Sequence, residues 1–213
     1  MIQLDGFLPH PLQSLGINER TQVFGPPCTF ADGQRYLVVA PSGKGKSTLL
    51  HTLYGLRKDY DGQVEIEGRE ARSYTPDDWA AFRQQQCAIV FQDLRLFPEL
   101  SALENIQLKA RLTGHKSDEQ IRDLAAQLGV DHLLPQTAAT LSYGQQQRMA
   151  IVRALCQPFR WILLDEPTSH LDEANTEAAF ALIQQECAAQ QAGMILVSLG
   201  ETFGLDFAGS LEL

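Results

Sequence analysis

The run Ala40-Pro41-Ser42-Gly43-Lys44-Gly45-Lys46-Ser47-Thr48 constrains this chain more than any other. It follows an apolar, β-rich stretch, Tyr36-Leu37-Val38-Val39, and leads into the helical Leu49-Leu50-His51-Thr52-Leu53. A strand that turns through a glycine-rich loop into a helix is the setting that a phosphate-binding loop requires. Gly43 and Gly45 let backbone amides curl around phosphate oxygens with no Cβ in the way. The helix N-terminus adds its partial positive charge. In such a loop Ser42, Gly43, Lys44, Gly45 and Thr48 line the phosphates, Lys46 meets the β- and γ-phosphates, and Ser47 ligates Mg²⁺. The pattern ordinarily opens with Gly; Ala40 stands here, which strains the turn if that position needs a positive φ. Alone, the loop says only that the chain binds a nucleotide.

The 213 residues leave room for one domain with a sizeable core and an inserted subdomain. A net charge of −9, with no run of Lys or Arg, argues against a general nucleic-acid binder. Met1-Ile2-Gln3-Leu4-Asp5 lacks the positive flank and apolar stretch of a signal peptide. The strongest apolar runs, 36–40, 161–164 and 194–197, fall far short of the roughly 20 residues of a membrane span. They read as buried strands, so a membrane role would come through a partner. Cys28, Cys87, Cys156 and Cys187 form no CxxC pair, and the five histidines are dispersed, so no side-chain metal centre is expected.

Strand candidates alternate with helical stretches, which predicts an α/β fold with a largely parallel sheet. The Pro- and Gly-rich segment from Gly6 to Gly33 suggests short strands joined by turns rather than helices. Ser101-Ala102-Leu103-Glu104 and Ser117-Asp118-Glu119-Gln120 have the capping-box pattern of helix starts. After the second box Ile121, Leu124, Ala125 and Leu128 share one helical face, and Gly129 is placed to stop the helix. Residues 93–155 thus read as a small helical insert, with strands resuming at Trp161.

Trp161-Ile162-Leu163-Leu164-Asp165-Glu166 is an apolar run ending in two carboxylates. A buried parallel strand delivers both to the carboxyl edge of its sheet, where such folds bind ligands. Asp165 suits Mg²⁺, and Glu166 suits a general base that deprotonates an attacking water. Leu141-Ser142-Tyr143-Gly144-Gln145 stands directly before a helical stretch, so Ser142 and the free amides there form a second anion site.

That pentapeptide resembles the signature loop of ATP-binding cassette proteins, usually Leu-Ser-Gly-Gly-Gln, with Tyr143 replacing the first Gly of the pair. Two further landmarks follow the same family in order. Val90-Phe91-Gln92-Asp93 is similar to the Q-loop, and Ser169-His170-Leu171-Asp172 resembles the D-loop. The resemblance covers essentially the whole chain and implies a P-loop NTPase, RecA-like core. That core has a mostly parallel sheet, an N-terminal antiparallel β subdomain and an inserted helical subdomain. It divides the single domain 1–213 into a nucleotide-binding core, 1–92 and 156–213, and a helical subdomain over about 93–155. It further implies that Gln92 reaches Mg²⁺ and the water, and that Asp172 contacts a partner subunit. Glu166, Gln92 and Lys46 are then the catalytic residues, and Ser47, Gln92 and Asp165 the metal ligands.

The family implication is a motor subunit that binds and hydrolyses ATP with Mg²⁺ for a membrane transporter. Two cassettes, identical or different, face head to tail, so that Ser142, Gly144 and Gln145 cap the ATP on the partner's phosphate loop. Transmembrane permease subunits would hold the chain on the inner face of the cell membrane, and 94–100 is a docking stretch for them. The run 90–108 is similar to cassettes of the lipoprotein-releasing and macrolide-export type. One position departs from the pattern: Met194-Ile195-Leu196-Val197 is followed by Ser198-Leu199-Gly200, which puts Leu199 where the family's switch histidine stands. Ser198 and His170 are the nearby substitutes, and Phe7 or His10 the candidates for stacking on adenine. Two alternatives remain open: a regulatory cassette with little turnover, and a soluble cassette outside transport. A P-loop kinase leaves residues 141–145 unexplained.

Overall fold

A computed structural model describes residues 1–13 and 21–213. Its central sheet is built from strands whose successive residues face opposite ways, as strand geometry requires. Five strands form it: β3 (Arg35–Val39), β6 (Cys87–Val90), β7 (Trp161–Asp165), β8 (Gly193–Ser198) and β9 (Gly209–Glu212). Their order is β6-β7-β8-β3-β9, and every pairing is parallel. Ala88, Val90, Ile162, Leu164, Met194 and Leu196 belong to one hydrophobic cluster. The intervening Cys87, Ile89, Trp161, Leu163, Ile195 and Val197 belong to a second. Both faces are buried, which is why these strands read as unbroken apolar runs.

The second cluster is closed by a four-stranded antiparallel sheet in the order β2-β1-β4-β5. Its strands are β1 (Ile2–Pro9), β2 (Cys28–Phe30), β4 (Tyr60–Ile66) and β5 (Arg69–Glu70). Register shifts between Asp5 and Leu8 of β1, opposite Gly62. A Cβ on Gly62 would lie 2.2 Å from the Gly6 carbonyl carbon, so the two backbones meet only because residue 62 carries no side chain. Helix α2 (Lys46–Leu53) packs Leu49, Leu50 and Leu53 into the same cluster.

The first cluster is covered by α4 (Ala102–Thr113), α5 (Asp118–Gln127), α6 (Tyr143–Leu155) and α7 (Glu173–Gln190), which contribute Ile106, Ile121, Leu124, Ile151 and Ile183. Ser101 and Ser117 cap α4 and α5 through the expected boxes, and Gly129 follows α5 with φ 64.

Two readings of the sequence need correction. The segment after β1 is not wholly helix-free, because α1 (His10–Gln13) is a short helix. Pro11 sits in its first turn, where a missing N–H costs nothing. The remainder of that segment at 14–20 lies outside the described residues. Helix α3 (Pro76–Gln85) was not anticipated, although Thr75 and Asp78 form a capping box before Trp79 and Phe82 enter the second cluster.

Candidate nucleotide site

The parallel registers gather the site. Val39 pairs with Ser198, Asp165 with Val197 and Val90 with Leu164, so β3, β8, β7 and β6 end along one carboxyl edge. The phosphate loop, Ser198, Asp165 with Glu166, and Gln92 leave the sheet there.

Between β3 and α2, Ser42, Gly43 and Lys44 are exposed. Gly43 has φ 77, and nothing lies within 4 Å of where its Cβ would stand. Gly45 has φ 96, and a Cβ there would lie 2.5 Å from Leu12 Cδ1 and 3.1 Å from Phe24 Cζ. Gly45 begins α2 without a side-chain cap, so the first amides of the helix are left for an incoming acceptor. Ala40 is buried and is not among the residues with positive φ. The missing Gly therefore brings no strain at that position. Thr48 is half-buried in the first turn of α2, and its carbonyl accepts from the Thr52 hydroxyl at 2.9 Å.

Lys46 is 6% exposed; its Nζ lies 2.7 Å from Glu166 Oε1 and donates to the Ala40 carbonyl at 2.8 Å. Gln92 Nε2 donates to the other carboxylate oxygen of Glu166 at 3.4 Å. Glu166 adopts φ 46, its N–H donates to the Val197 carbonyl at 3.2 Å, and its own carbonyl accepts from Gln147 Nε2 at 3.4 Å. Lys46, Glu166 and Gln92 thus form one connected group.

Asp165 is buried, and its Oδ1 has no hydrogen-bond partner. Burial pushes its carboxyl above the usual range, opposed by a hydrogen bond with the Ser47 hydroxyl. Ser47, Gln92 and Asp165 line one cavity of about 370 Å³, together with His51, Asp93 and Tyr143. An orphaned carboxylate oxygen beside a hydroxyl and an amide is a hard, all-oxygen donor set. It fits Mg²⁺, which takes one or two carboxylates and completes its shell with phosphate and water.

Among the described residues, those expected to act across a dimer make no hydrogen bond to Lys46, Glu166, Gln92 or Asp165. Ser142 caps α6, its hydroxyl accepting from the Gln145 N–H at 3.3 Å while Gln145 Oε1 accepts from the Ser142 N–H at 2.8 Å. Gly144 packs close enough that a Cβ would lie 3.1 Å from the His170 carbonyl. Asp172 caps α7, accepting from the Asn175 N–H at 2.8 Å, and these bonds hold its carboxyl below the usual range. Among the described residues no hydrogen bond joins Ser142, Gly144, Gln145 or Asp172 to the phosphate loop of the same chain.

Leu199 is 58% exposed just beyond β8. Both substitutes named from the sequence already hold hydrogen bonds to their own neighbours. The Ser198 hydroxyl donates to the Glu201 carbonyl at 3.1 Å and accepts from the Gly200 N–H at 3.0 Å. His170 Nδ1 is 2.9 Å from the Ser169 hydroxyl. Phe7 is fully buried against Phe24 and Tyr60, so it is a core residue and cannot stack on a base. His10 is exposed and bonded to Asp61 at 3.2 Å.

Sequence reasoning missed the contacts of three residues around the site. Tyr143 donates its hydroxyl to the Gln92 carbonyl at 2.9 Å. Arg153 donates to the Leu94 and Arg95 carbonyls at 2.5 and 2.6 Å, and both of those residues are left-handed, with φ 57 and 48. Gln147, fully buried, joins Glu166 to the Ser169 hydroxyl and the His170 N–H. The only sequence signal for any of them was a Tyr where Gly is usual.

A family model described as ABC transporter matches residues 26–169. The chain is 33% identical over 183 residues to the lipoprotein-releasing system ATP-binding protein LolD of Rhodopseudomonas palustris, covering 84% of this chain and 77% of that protein. It is 38% identical over 154 residues to LolD of Idiomarina loihiensis, covering 71% and 68%. The dimeric structure of MJ0796, a bacterial ABC transporter cassette, superposes with a TM-score of 0.79 at 27% identity over 93% of this chain and 88% of that one. A post-hydrolysis state of the same cassette, bound to ADP and Pi, gives 0.78 at 26% identity over the same shares. A glycine-rich loop, an acidic strand end and a capped signature helix on one P-loop scaffold make this chain a member of the ABC transporter family, an ATP-binding motor subunit of a membrane transporter.

Proposed function

We propose that the chain hydrolyses ATP with Glu166 as general base, Lys46 and the 42–48 loop holding the phosphates, and Gln92 orienting the attacking water. The observation that carries this reading is the convergence of Lys46, Glu166, Gln92, Ser47 and Asp165 on one sheet edge. Ser47, Asp165 and Gln92 are the residues that would hold Mg²⁺, which when bound would neutralise charge on the β- and γ-phosphates. ATP draws Lys46 from Glu166 to its phosphates, and the freed carboxylate takes the proton of the water. The in-line attack releases ADP and phosphate.

Ser142, Gly144 and Gln145 reach the ATP of a second cassette, with Asp172 at the seam, so two chains close around the nucleotide. The solved relative in dimeric form supports that arrangement. The core 1–92 and 156–213 then carries the chemistry, and 93–155 moves with the transmembrane partners. Phe97, 54% exposed within 94–100, is an apolar contact for them. Those permease subunits attach the chain to the inner face of the membrane; among the described residues no helix is long and apolar enough to cross it. The LolD relatives favour a lipid-anchored protein as the cargo.

A second reading is favoured by Leu199, exposed and without a donor: a cassette whose binding step does more of the work than its turnover. Losing one transition-state donor typically costs about 2.7–4 kcal/mol, roughly 10²–10³ in rate. Both readings require closure around ATP. Glu166→Gln is expected to sediment as a dimer with ATP and as a monomer without it, whereas Lys46→Ala stays monomeric in both. A Glu166→Gln chain that binds ATP yet never dimerises would overturn the proposal.

A further inference from the structure

Tyr143 takes no part in the chemistry proposed above, and its side chain is nonetheless committed. It is the first residue of α6, and 43% of it is exposed. Its hydroxyl donates to the Gln92 carbonyl at 2.9 Å, and its ring centroid lies 4.3 Å from that of His170. The imidazole is itself anchored, by the Ser169 hydroxyl at Nδ1 and by its residue's N–H on Gln147 Oε1. The ring also walls the cavity that holds Ser47, Gln92 and Asp165. A Gly at this position could make none of these contacts.

The loop after β6 is therefore gripped twice by one helix. Tyr143, at the start of α6, holds the Gln92 carbonyl; Arg153, near its end, holds the carbonyls of Leu94 and Arg95. Between those grips the Gln92 side chain points to Glu166. The backbone from which it projects is held, and the side chain itself makes one long hydrogen bond, to Glu166.

We propose that Tyr143 is a positioning residue: its hydroxyl fixes the Gln92 backbone so that the Gln92 amide stays aimed at Glu166 and the attacking water. This ties the start of α6, which faces the partner's ATP, to the hydrolytic site of its own subunit. The inference rests on the roles given above to Gln92 and Glu166. It makes the Tyr for Gly replacement a functional feature of this cassette.

The test is a double-mutant cycle on the full chain, with ATP turnover read as kcat and KM separately. Tyr143→Phe keeps the ring on His170 and removes only the hydroxyl. One hydrogen bond of this kind corresponds to about a two- to tenfold effect, expected as a fall in kcat with KM for ATP and Tm unchanged. Gln92→Ala leaves the carbonyl, and so the Tyr143 bond, in place but removes the amide it aims. In that background Tyr143→Phe is expected to add nothing in single-turnover assays of the residual rate. Full kcat in Tyr143→Phe, or the same fold loss with and without the Gln92 side chain, would overturn the inference. Wild-type turnover abolished by Glu166→Gln keeps the parent reading separate. If that control holds while Tyr143→Phe matches wild type, only the role of Tyr143 fails.

Discussion

Glu166 lies in the left-handed region, a conformation that costs a non-glycine residue about 1–3 kcal/mol and tends to collect at functional sites. The Val197 carbonyl, Gln147 and Lys46 together hold it there, and the bend carries its carboxylate back over the phosphate loop. Gly45 solves the opposite problem, because its positive φ and the packing of Leu12 and Phe24 leave no room for a Cβ. Gly45→Ala is therefore expected to lose about 1–3 kcal/mol of stability and to weaken ATP binding with it, by urea denaturation and nucleotide titration. Wild-type values for both would remove the strain argument. At this scale the glycine-rich loop and the two carboxylates at the sheet edge were legible as local features, because each lies within a few consecutive residues. The Lys46–Glu166 pair was not: it depends on a backbone bend that no residue type announces.

At the scale of elements, four helices among the described residues begin with a reciprocal capping box: α3, α4, α5 and α6. The boxes of α4 and α5 were readable from Ser followed by Glu or Gln. The pair Ser142 and Gln145 fits the same pattern and forms the reciprocal box at the start of α6. Ser101→Ala is expected to cost about 1 kcal/mol in urea unfolding at neutral pH. The Glu104 carboxyl of that box is held below the usual range by its bonds to the Ser101 hydroxyl and N–H. Its folded-state pKa is thus lower than its unfolded one. The stabilisation is complete above the unfolded value and disappears as pH falls through the folded value. The difference between wild type and Ser101→Ala should accordingly shrink in acid. A difference that grows there would contradict this account of the cap. Helix α1 escaped the sequence because Pro9 and Pro11 read as turn residues, although a helix tolerates Pro in its first turn.

In the whole molecule one parallel sheet separates two hydrophobic clusters, and its carboxyl edge collects the proposed nucleotide site from four strands. The α/β class was legible because strands buried on both faces must be apolar throughout. The contacts by which α6 grips the loop after β6 were not, since Tyr143 and Gln92 stand 51 residues apart in the sequence. The central claim is hydrolysis at this edge with Glu166 as the base, and phosphate release under saturating Mg²⁺ and ATP measures it directly. Wild type is expected to turn over, and Glu166→Gln to fall by about 10²–10⁴-fold while still binding ATP. A Glu166→Gln chain that releases phosphate as fast as wild type would contradict the account.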